Sequence, residues 1–546
     1  MNKEKMKSSL LIGALTSSFG IFISKLLGLF YYSPLSSIAG ESNMAFYSIV
    51  YTYYDLLLQI SQAGIPFAIA ALVAKYYAKD DYKGVLLVKK LGTSVVMGLS
   101  FVVAIVLMMI AEPLARQSLG HSAPLEDINN LKIMFNILTI AVIVVPLLSA
   151  VRAYAQGLKR LDLYASSQVL EQFVRVFSIL LFGYLFVVVL KFKHIWAIFI
   201  AIAAASIGAI VALIFTKILS KDDEKHVEEL ASEQTRDSVK EKEILKEILT
   251  LGIPYVIISF LGTAGPLVNT TFFLDYMSKV FGPEIYRYAK LSSGILQANI
   301  AKIANIPSVL AIGFGSGMVP YLSEALEKND HKIINKHINQ IIDTSMFILI
   351  PMTIVFIFFA RDIYFIMYGN SNLDLGASLF AVSNIQIFLG TIAPIFSSIM
   401  MSLKLRKESI ITLIISFIIK FVTFFPMVKL FMTYGMIYSS GFYYICQIVM
   451  YFMFLHKYFN ININNSLRRS LKILIASIIM VVLPFAIHRL IGFNYDNRII
   501  DILIMGGLGI IMLVVYYNVT VAMKLPQKIF GIKDISVKKL ISRFRL

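Results

Sequence analysis

Two lysines fall where a bilayer holds no water. Lys25 lies about 16 residues into the first long apolar run and Lys302 about 11 into the eighth, which at about 1.5 Å per residue puts both in the middle third of a membrane. An ionisable group at the bilayer centre costs about 2.5–3.5 kcal/mol on insertion scales, so each needs a partner, a watery cavity or a job. If both lysines face one central cavity, they make an anion site with no fixed metal. The alternative is that each snorkels, or pairs with an acid such as Asp55 in the second run or Asp275 in the seventh.

Other polar groups share helical faces. Asp55 and Gln59 are one turn apart and either line the cavity or pair structurally. Gln168, Glu171, Gln172 and Arg175 stand at i, i+3, i+4 and i+7, a single face on which Glu171 and Arg175 can form an ion pair. With Arg152 just upstream, that face reads as a gate or latch between helices, or as a substrate contact. Asp275 is close enough to a helix end to be hydrated, and Lys420 has no obvious partner in sequence. Pro66, Pro146, Pro254, Pro266, Pro307 and Pro351 should kink helices and free carbonyls. The glycines of GFGSG, Gly313 to Gly317, lack P-loop spacing and its lysine, and suit close packing or a hinge.

No GxSxG, HExxH or paired-carboxylate loop occurs, and no polar stretch is long enough for a nucleotide-hydrolysing domain. No cofactor is expected; energy would come from the membrane potential, an ion gradient or a partner. The lone Cys446 allows no internal disulfide, and scattered histidines offer no metal-ligand cluster.

The elements that position these groups follow from composition. Of 546 residues 58% are hydrophobic and 15% charged, with mean hydropathy +0.77. A soluble chain carries about 25% charged residues, so the excess apolar surface must meet lipid, which excludes soluble enzymes and disordered scaffolds. Runs able to span predict helices over 9–33, 44–74, 85–111, 131–155, 164–190, 195–217, 249–277, 291–319, 342–360, 376–401, 408–428, 433–456, 471–490 and 499–522. The first run follows Lys3, Lys5 and Lys7 but is too long for a signal peptide and carries Lys25.

The expected class is therefore an all-α polytopic membrane protein of about 14 transmembrane helices. The net charge of +18 points to anionic lipid ahead of nucleic acid. Of the 50 Lys and Arg residues, 35 fall in the N-terminus, the tail and alternate loops, which predicts cytoplasmic termini. The expected domains are an N-lobe (1–220), a charged cytoplasmic linker (221–247) that could include a short surface helix, a C-lobe (248–460), a final helix pair (461–522) and a basic tail (523–546) on the inner leaflet. The third helix ends AEPLARQSLG, Ala111 to Gly120, and the ninth ARDIYFIMYG, Ala360 to Gly369, an offset of 249 residues that suggests parallel repeats with substrate between them.

Four stretches carry a resemblance: SKLLG (Ser24 to Gly28), GIPFAIAALVAKYYA (Gly64 to Ala78), RAYAQGLKRLDLYASSQVLEQFVRV (Arg152 to Val176) and NIPSVLAIGFGSGMVPYLSEA (Asn305 to Ala325). With the helix count, the chain resembles the MurJ/SpoVB/YtgP-type lipid II flippases, the polysaccharide biosynthesis branch of the multidrug/oligosaccharidyl-lipid/polysaccharide (MOP) exporter superfamily. The resemblance implies two six-helix lobes in a V around a cationic cavity, with a C-terminal pair forming a groove for a lipid tail. It assigns the cavity cations to Lys25 and Lys302. The family's further cations fall at Tyr31 and near Leu58 or Gln59, so this chain carries fewer cavity charges.

The resemblance further implies a non-enzymatic flippase of undecaprenyl-pyrophosphate-linked sugar, lipid II first, working by alternating access in the bacterial cell membrane, with cell-wall synthesis proteins as partners. Rivals are an exporter of another polyprenyl-linked unit, a drug or cation antiporter, which would want acids at midplane, and a dry envelope scaffold. A membrane transferase lacks a visible acid/base constellation.

Overall fold

A computed structural model describes residues 28, 31–62, 64–235, 239–303, 306, 307, 319–491 and 497–530. Lys25, the GFGSG run and the tail beyond residue 530 lie outside them. Eleven of the fourteen expected spans are single helices long and apolar enough to cross a membrane. The other three are the first and the eighth, parts of which lie outside the described residues, and the second, which is interrupted.

The chain forms two compact units, the first ending at Asn299. It contains α1 (Tyr32–Ala39), α2 (Met44–Gln62), α3 (Ile65–Tyr77), α4 (Tyr82–Leu119), α5 (Leu125–Gly157), α6 (Leu161–Tyr184), α7 (Trp196–Leu219), α8 (Lys221–Glu233), α9 (Glu241–Phe281) and α10 (Tyr286–Gly294). One helix was expected over 44–74; it is instead split at Gly64, because Pro66 has no N–H to donate and sits in the first turn of α3, where none is needed. Pro66 thus starts a helix instead of kinking one. The expected 291–319 helix begins earlier, as α10, and passes into π-helix over Ile295–Ile300. Most of the charged linker is helical too. Its first half is α8, and from Glu241 it is already the first turns of α9.

Packing divides the chain at Asn299, not at the linker, and the reason is α9. Lys75 Nζ donates to Glu247 Oε1 at 2.7 Å, Tyr53 and Thr271 share a hydrogen bond of 2.9 Å, and Thr270 donates to Thr52 at 3.2 Å. Between these ties the α9 backbone touches the α2–α3 break: a Cβ on Gly64 would lie 2.1 Å from the Gly252 carbonyl oxygen. Gly64→Ala should therefore cost about 2 kcal/mol, since backbone cannot yield as a side chain can. Gly252→Ala, whose Cβ would meet its nearest neighbours at 3.3–3.4 Å, should cost less. Thermal unfolding of the two purified variants checks the order.

The second unit contains α11 (Val319–Glu327), α12 (His331–Phe358), α13 (Ala360–Tyr368), α14 (Leu373–Ser402), α15 (Arg406–Phe431), α16 (Thr433–Phe459), α17 (Asn464–Ile491), α18 (Arg498–Ala522) and α19 (Leu525–Phe530). Its main core joins α11, α12, α14 and α16 through Leu322, Ile338, Ile399 and Tyr451. The final pair, α17 and α18, adds a second core in which Met480, Leu508 and Met512 pack with Phe359. As expected in lipid, large apolar residues such as Met109 and Leu503 point outward while Ser100, Ser409 and Ser416 are fully buried.

The sequence echo has a structural counterpart within each unit. Gly120 ends α4 at φ 82°, and Gly369 ends α13 at φ 78°, each donating its N–H to the carbonyl four residues back. This left-handed backbone favours glycine. At Gly120 a Cβ would also strike the Asp275 backbone at 2.5 Å.

Candidate functional site

The first unit encloses a cavity of about 640 Å³ bounded by α2, α3, α5 and α6. Periodicity places the α6 groups: Gln168, Glu171 and Arg175 line the cavity, as do Asp55 from α2 and Arg152 from α5. Gln172, the fourth member of the stripe, instead faces Gly28, where a Cβ would lie 3.0 Å from its amide nitrogen. Close packing of α7 holds α6 in register, since a Cβ on Gly208 would meet the Glu171 carbonyl at 2.7 Å.

Glu171 is the hub. Its Oε2 accepts from Arg152 Nη1 at 2.8 Å and its Oε1 from Arg175 Nη2 at 3.0 Å. Arg152 also donates through Nε to Ser167 Oγ at 2.6 Å. Arg152 lies inside α5, near the end of the span expected over 131–155, and is 6% exposed. Two donors remain unused: Arg152 Nη2 and Arg175 Nε are buried and make no hydrogen bond among the described residues. Two guanidinium groups and two carboxylates make the cavity polar but balanced in charge. Buried N–H groups of this kind can donate to an incoming phosphate oxygen.

Asp55 thus shares one cavity with the α6 face, a juxtaposition invisible in sequence because 116 residues separate Asp55 from Glu171. Gln59 lies in α2, but its side chain is outside the described residues. Lys302 is half-buried on the helical residues 301–303 of the second unit.

Tertiary structure also supplies partners that sequence did not. Lys420 is fully buried and donates to Ser439 Oγ at 2.8 Å and Ser440 Oγ at 2.9 Å, both on α16. Asp275, expected at a hydrated helix end, is buried between Lys279 Nζ at 2.6 Å and His121 Nδ1 at 3.0 Å. The contacts with Ser439, Ser440 and His121 cross between elements, where a linear reading has least reach, whereas Lys279 stands one helical turn from Asp275.

A tyrosine cluster borders the cavity. Tyr31, which stands where the resembled family has a cation, is buried and shares a 2.7 Å hydrogen bond with Tyr47. Ring contacts continue from Tyr47 to Tyr51 at 4.4 Å and on to Tyr54 at 5.6 Å. The signal was present in the i, i+4, i+7 spacing of Tyr47, Tyr51 and Tyr54.

The connections at the two ends of this unit are tied by ions. Beyond α5, Arg160 bonds Asp162 at 3.0 Å and also Asp223 of α8, and these hydrogen bonds raise its guanidinium further above the ordinary arginine range. At the opposite end Lys290 of α10 donates to Asp127 Oδ2 at 2.6 Å, and Tyr286 donates to the same oxygen at 2.9 Å. Asp127→Ala strands a mostly buried ammonium and should cost about 3 kcal/mol. Calorimetry on that variant and on Asp127→Ala/Lys290→Met, which should regain most of the loss, checks it.

Comparison with known proteins then places the chain. It is 27% identical over 496 residues to the lipid II flippase MurJ of Bacillus subtilis, covering 89% of this chain and 90% of the relative. It is 20% identical over 387 residues to the stage V sporulation protein B of the same organism, covering 70% of each. Among solved structures, a lipid II flippase MurJ in an inward closed conformation superimposes with a TM-score of 0.64 at 16% identity, over 93% of this chain and 98% of the other. An inward-facing multidrug resistance MATE family transporter of the MOP superfamily gives 0.61 at 12% identity, over 83% and 94%. These likenesses show the fold. Residues 10–326, more than half of the chain, match the profile of polysaccharide biosynthesis proteins, and the chain belongs to that family.

Proposed function

We propose that this multi-pass membrane protein is a flippase that carries an undecaprenyl-pyrophosphate-linked sugar, lipid II first, from the inner to the outer leaflet by alternating access. The observation that carries this reading is the cavity in which Arg152 and Arg175 keep buried N–H groups that make no hydrogen bond among the described residues. A pyrophosphate oxygen is the acceptor those donors fit. The match to a lipid II flippase along nearly the whole of both chains supports the same substrate. Lys25 and Lys302 add the counter-charge that the pyrophosphate requires. Asp55 and Gln59 offer acceptors and donors to the sugar.

In this reading the protein is a transporter in the bacterial cell membrane, not an enzyme, and both termini are cytoplasmic. Transport is driven by the membrane potential or an ion gradient, and cell-wall synthesis proteins use the delivered precursor. The test is lipid II accessibility on the outer leaflet of cells depleted of their own flippase and supplied with this protein. Rescue is the expected result. Failure of a well-expressed, inserted protein would overturn lipid II as the substrate.

A further inference from the structure

The second unit holds a cavity of about 510 Å³, lined by none of the residues of the first unit's cavity and formed by α12, the start of α17 and α19. Its ionisable lining is Lys332, Lys336, Arg469 and Lys528 against a single carboxylate, Asp343. One oxygen of Asp343 is committed, its Oδ2 lying 2.9 Å from Arg469 Nη2, while Oδ1 is buried with no hydrogen-bond partner among the described residues, and the four cations outnumber this one carboxylate. Among the described residues no carboxylate pairs with Lys332, Lys336 or Lys528.

The floor is built, not merely charged. Asn339 donates to the Asn462 carbonyl at 2.9 Å and accepts from Ser466 Oγ at 2.6 Å, which locks its amide. Arg469 Nε is buried and has no hydrogen-bond partner among the described residues. α19 is pinned by Leu525 and Ile529, which pack with Ile350 and Ile473, so Lys528 is carried on an anchored helix. A guanidinium held by a carboxylate, with a donor to spare and three ammonium groups lining the same cavity, is the chemistry of a phosphate receptor.

We propose that this cavity binds a phosphate-bearing anion, the headgroup of an anionic phospholipid. The choice of a lipid rests on Leu467 and Leu471, exposed apolar residues on the face of α17 opposite Arg469, which put the helix that carries the guanidinium at the lipid boundary. It rests also on the charge bias that assigns this end of the helices to the cytoplasmic leaflet, where anionic headgroups concentrate.

The test uses full-length protein in nanodiscs of mixed phosphatidylglycerol and phosphatidylcholine, with retained lipid counted by native mass spectrometry. The parent should hold phosphatidylglycerol in preference to phosphatidylcholine. Lys332→Gln/Lys336→Gln, which neutralises two exposed side chains, should weaken that retention about thirtyfold with unfolding temperature in pure phosphatidylcholine unchanged. Lys332→Arg/Lys336→Arg should retain it. Inorganic pyrophosphate supplies the other arm: if it stabilises the parent but not the Gln variant in phosphatidylcholine, and no lipid preference is seen, the site takes a soluble phosphate. Equal phosphatidylglycerol retention by parent and Gln variant, or no response to either anion, overturns the proposal.

Discussion

Lys302→Ala should lower lipid II translocation by about tenfold or more, while the protein remains inserted and folded. A hydrogen bond to a charged group is worth about 1.5–3 kcal/mol, and each 1.4 kcal/mol is a factor of ten. Lys302 is half-buried, so truncating it leaves only a modest cavity. Lys302→Arg should keep most transport and Lys302→Gln little, because charge is the claimed requirement and shape is secondary. Lys25 should follow the same order. Outer-leaflet accessibility of lipid II in flippase-depleted cells, normalised to protein in the membrane, is the measurement. Full transport by both Ala variants would remove the two lysines from the site while leaving the assignment of a flippase open to the parent's own rescue.

The second large effect belongs to Glu171. One carboxylate accepts from two buried guanidinium groups on different helices. Glu171→Ala leaves Arg152 and Arg175 without the carboxylate that bonds both, with Asp55 the remaining acid in the cavity lining. Removing one partner of a buried pair costs about 3–5 kcal/mol, and here two cations are orphaned by one change. Thermal unfolding should show a large fall, with transport lost alongside. Glu171→Gln keeps one acceptor oxygen and should lose less stability. Combining Glu171→Ala with Arg152→Met should restore part of the fall, since the second change removes a stranded charge. A coupling near zero in that double-mutant cycle would mean that Arg152 and Glu171 do not act as a pair.

Helices were the most legible feature, and the reason is local. Twenty apolar residues in lipid have one way to satisfy their backbone, so eleven of the expected spans are found as single helices, although several run well past their expected ends, as α12 does in starting at His331 where 342 was expected. Breaks were harder to read. Pro66 was visible, but whether a proline kinks a helix or begins a new one depends on the neighbouring backbone. Here Gly252 of α9 presses on Gly64 just before it. The charged stretch after α7 looked like a linker because its mean polarity is high, yet α8 forms in it and Arg160 binds it through Asp223.

Site residues divide along the same line. The stripe Gln168, Glu171, Arg175 was readable from period alone, because residues on one helical face are neighbours wherever the helix goes. What faces that stripe was not readable. Arg152 and Asp55 join it only through the packing of α2, α5 and α6, and the contacts of Lys420 with Ser439 and of Asp275 with His121 are ones that no spacing rule encodes. Composition and period are properties of a chain in its solvent, and the membrane character, the helices and their polar faces follow from them. Which faces meet, which carboxylate serves two arginines, and which donors remain for a ligand depend on distances between segments far apart in sequence, and those only packing decides.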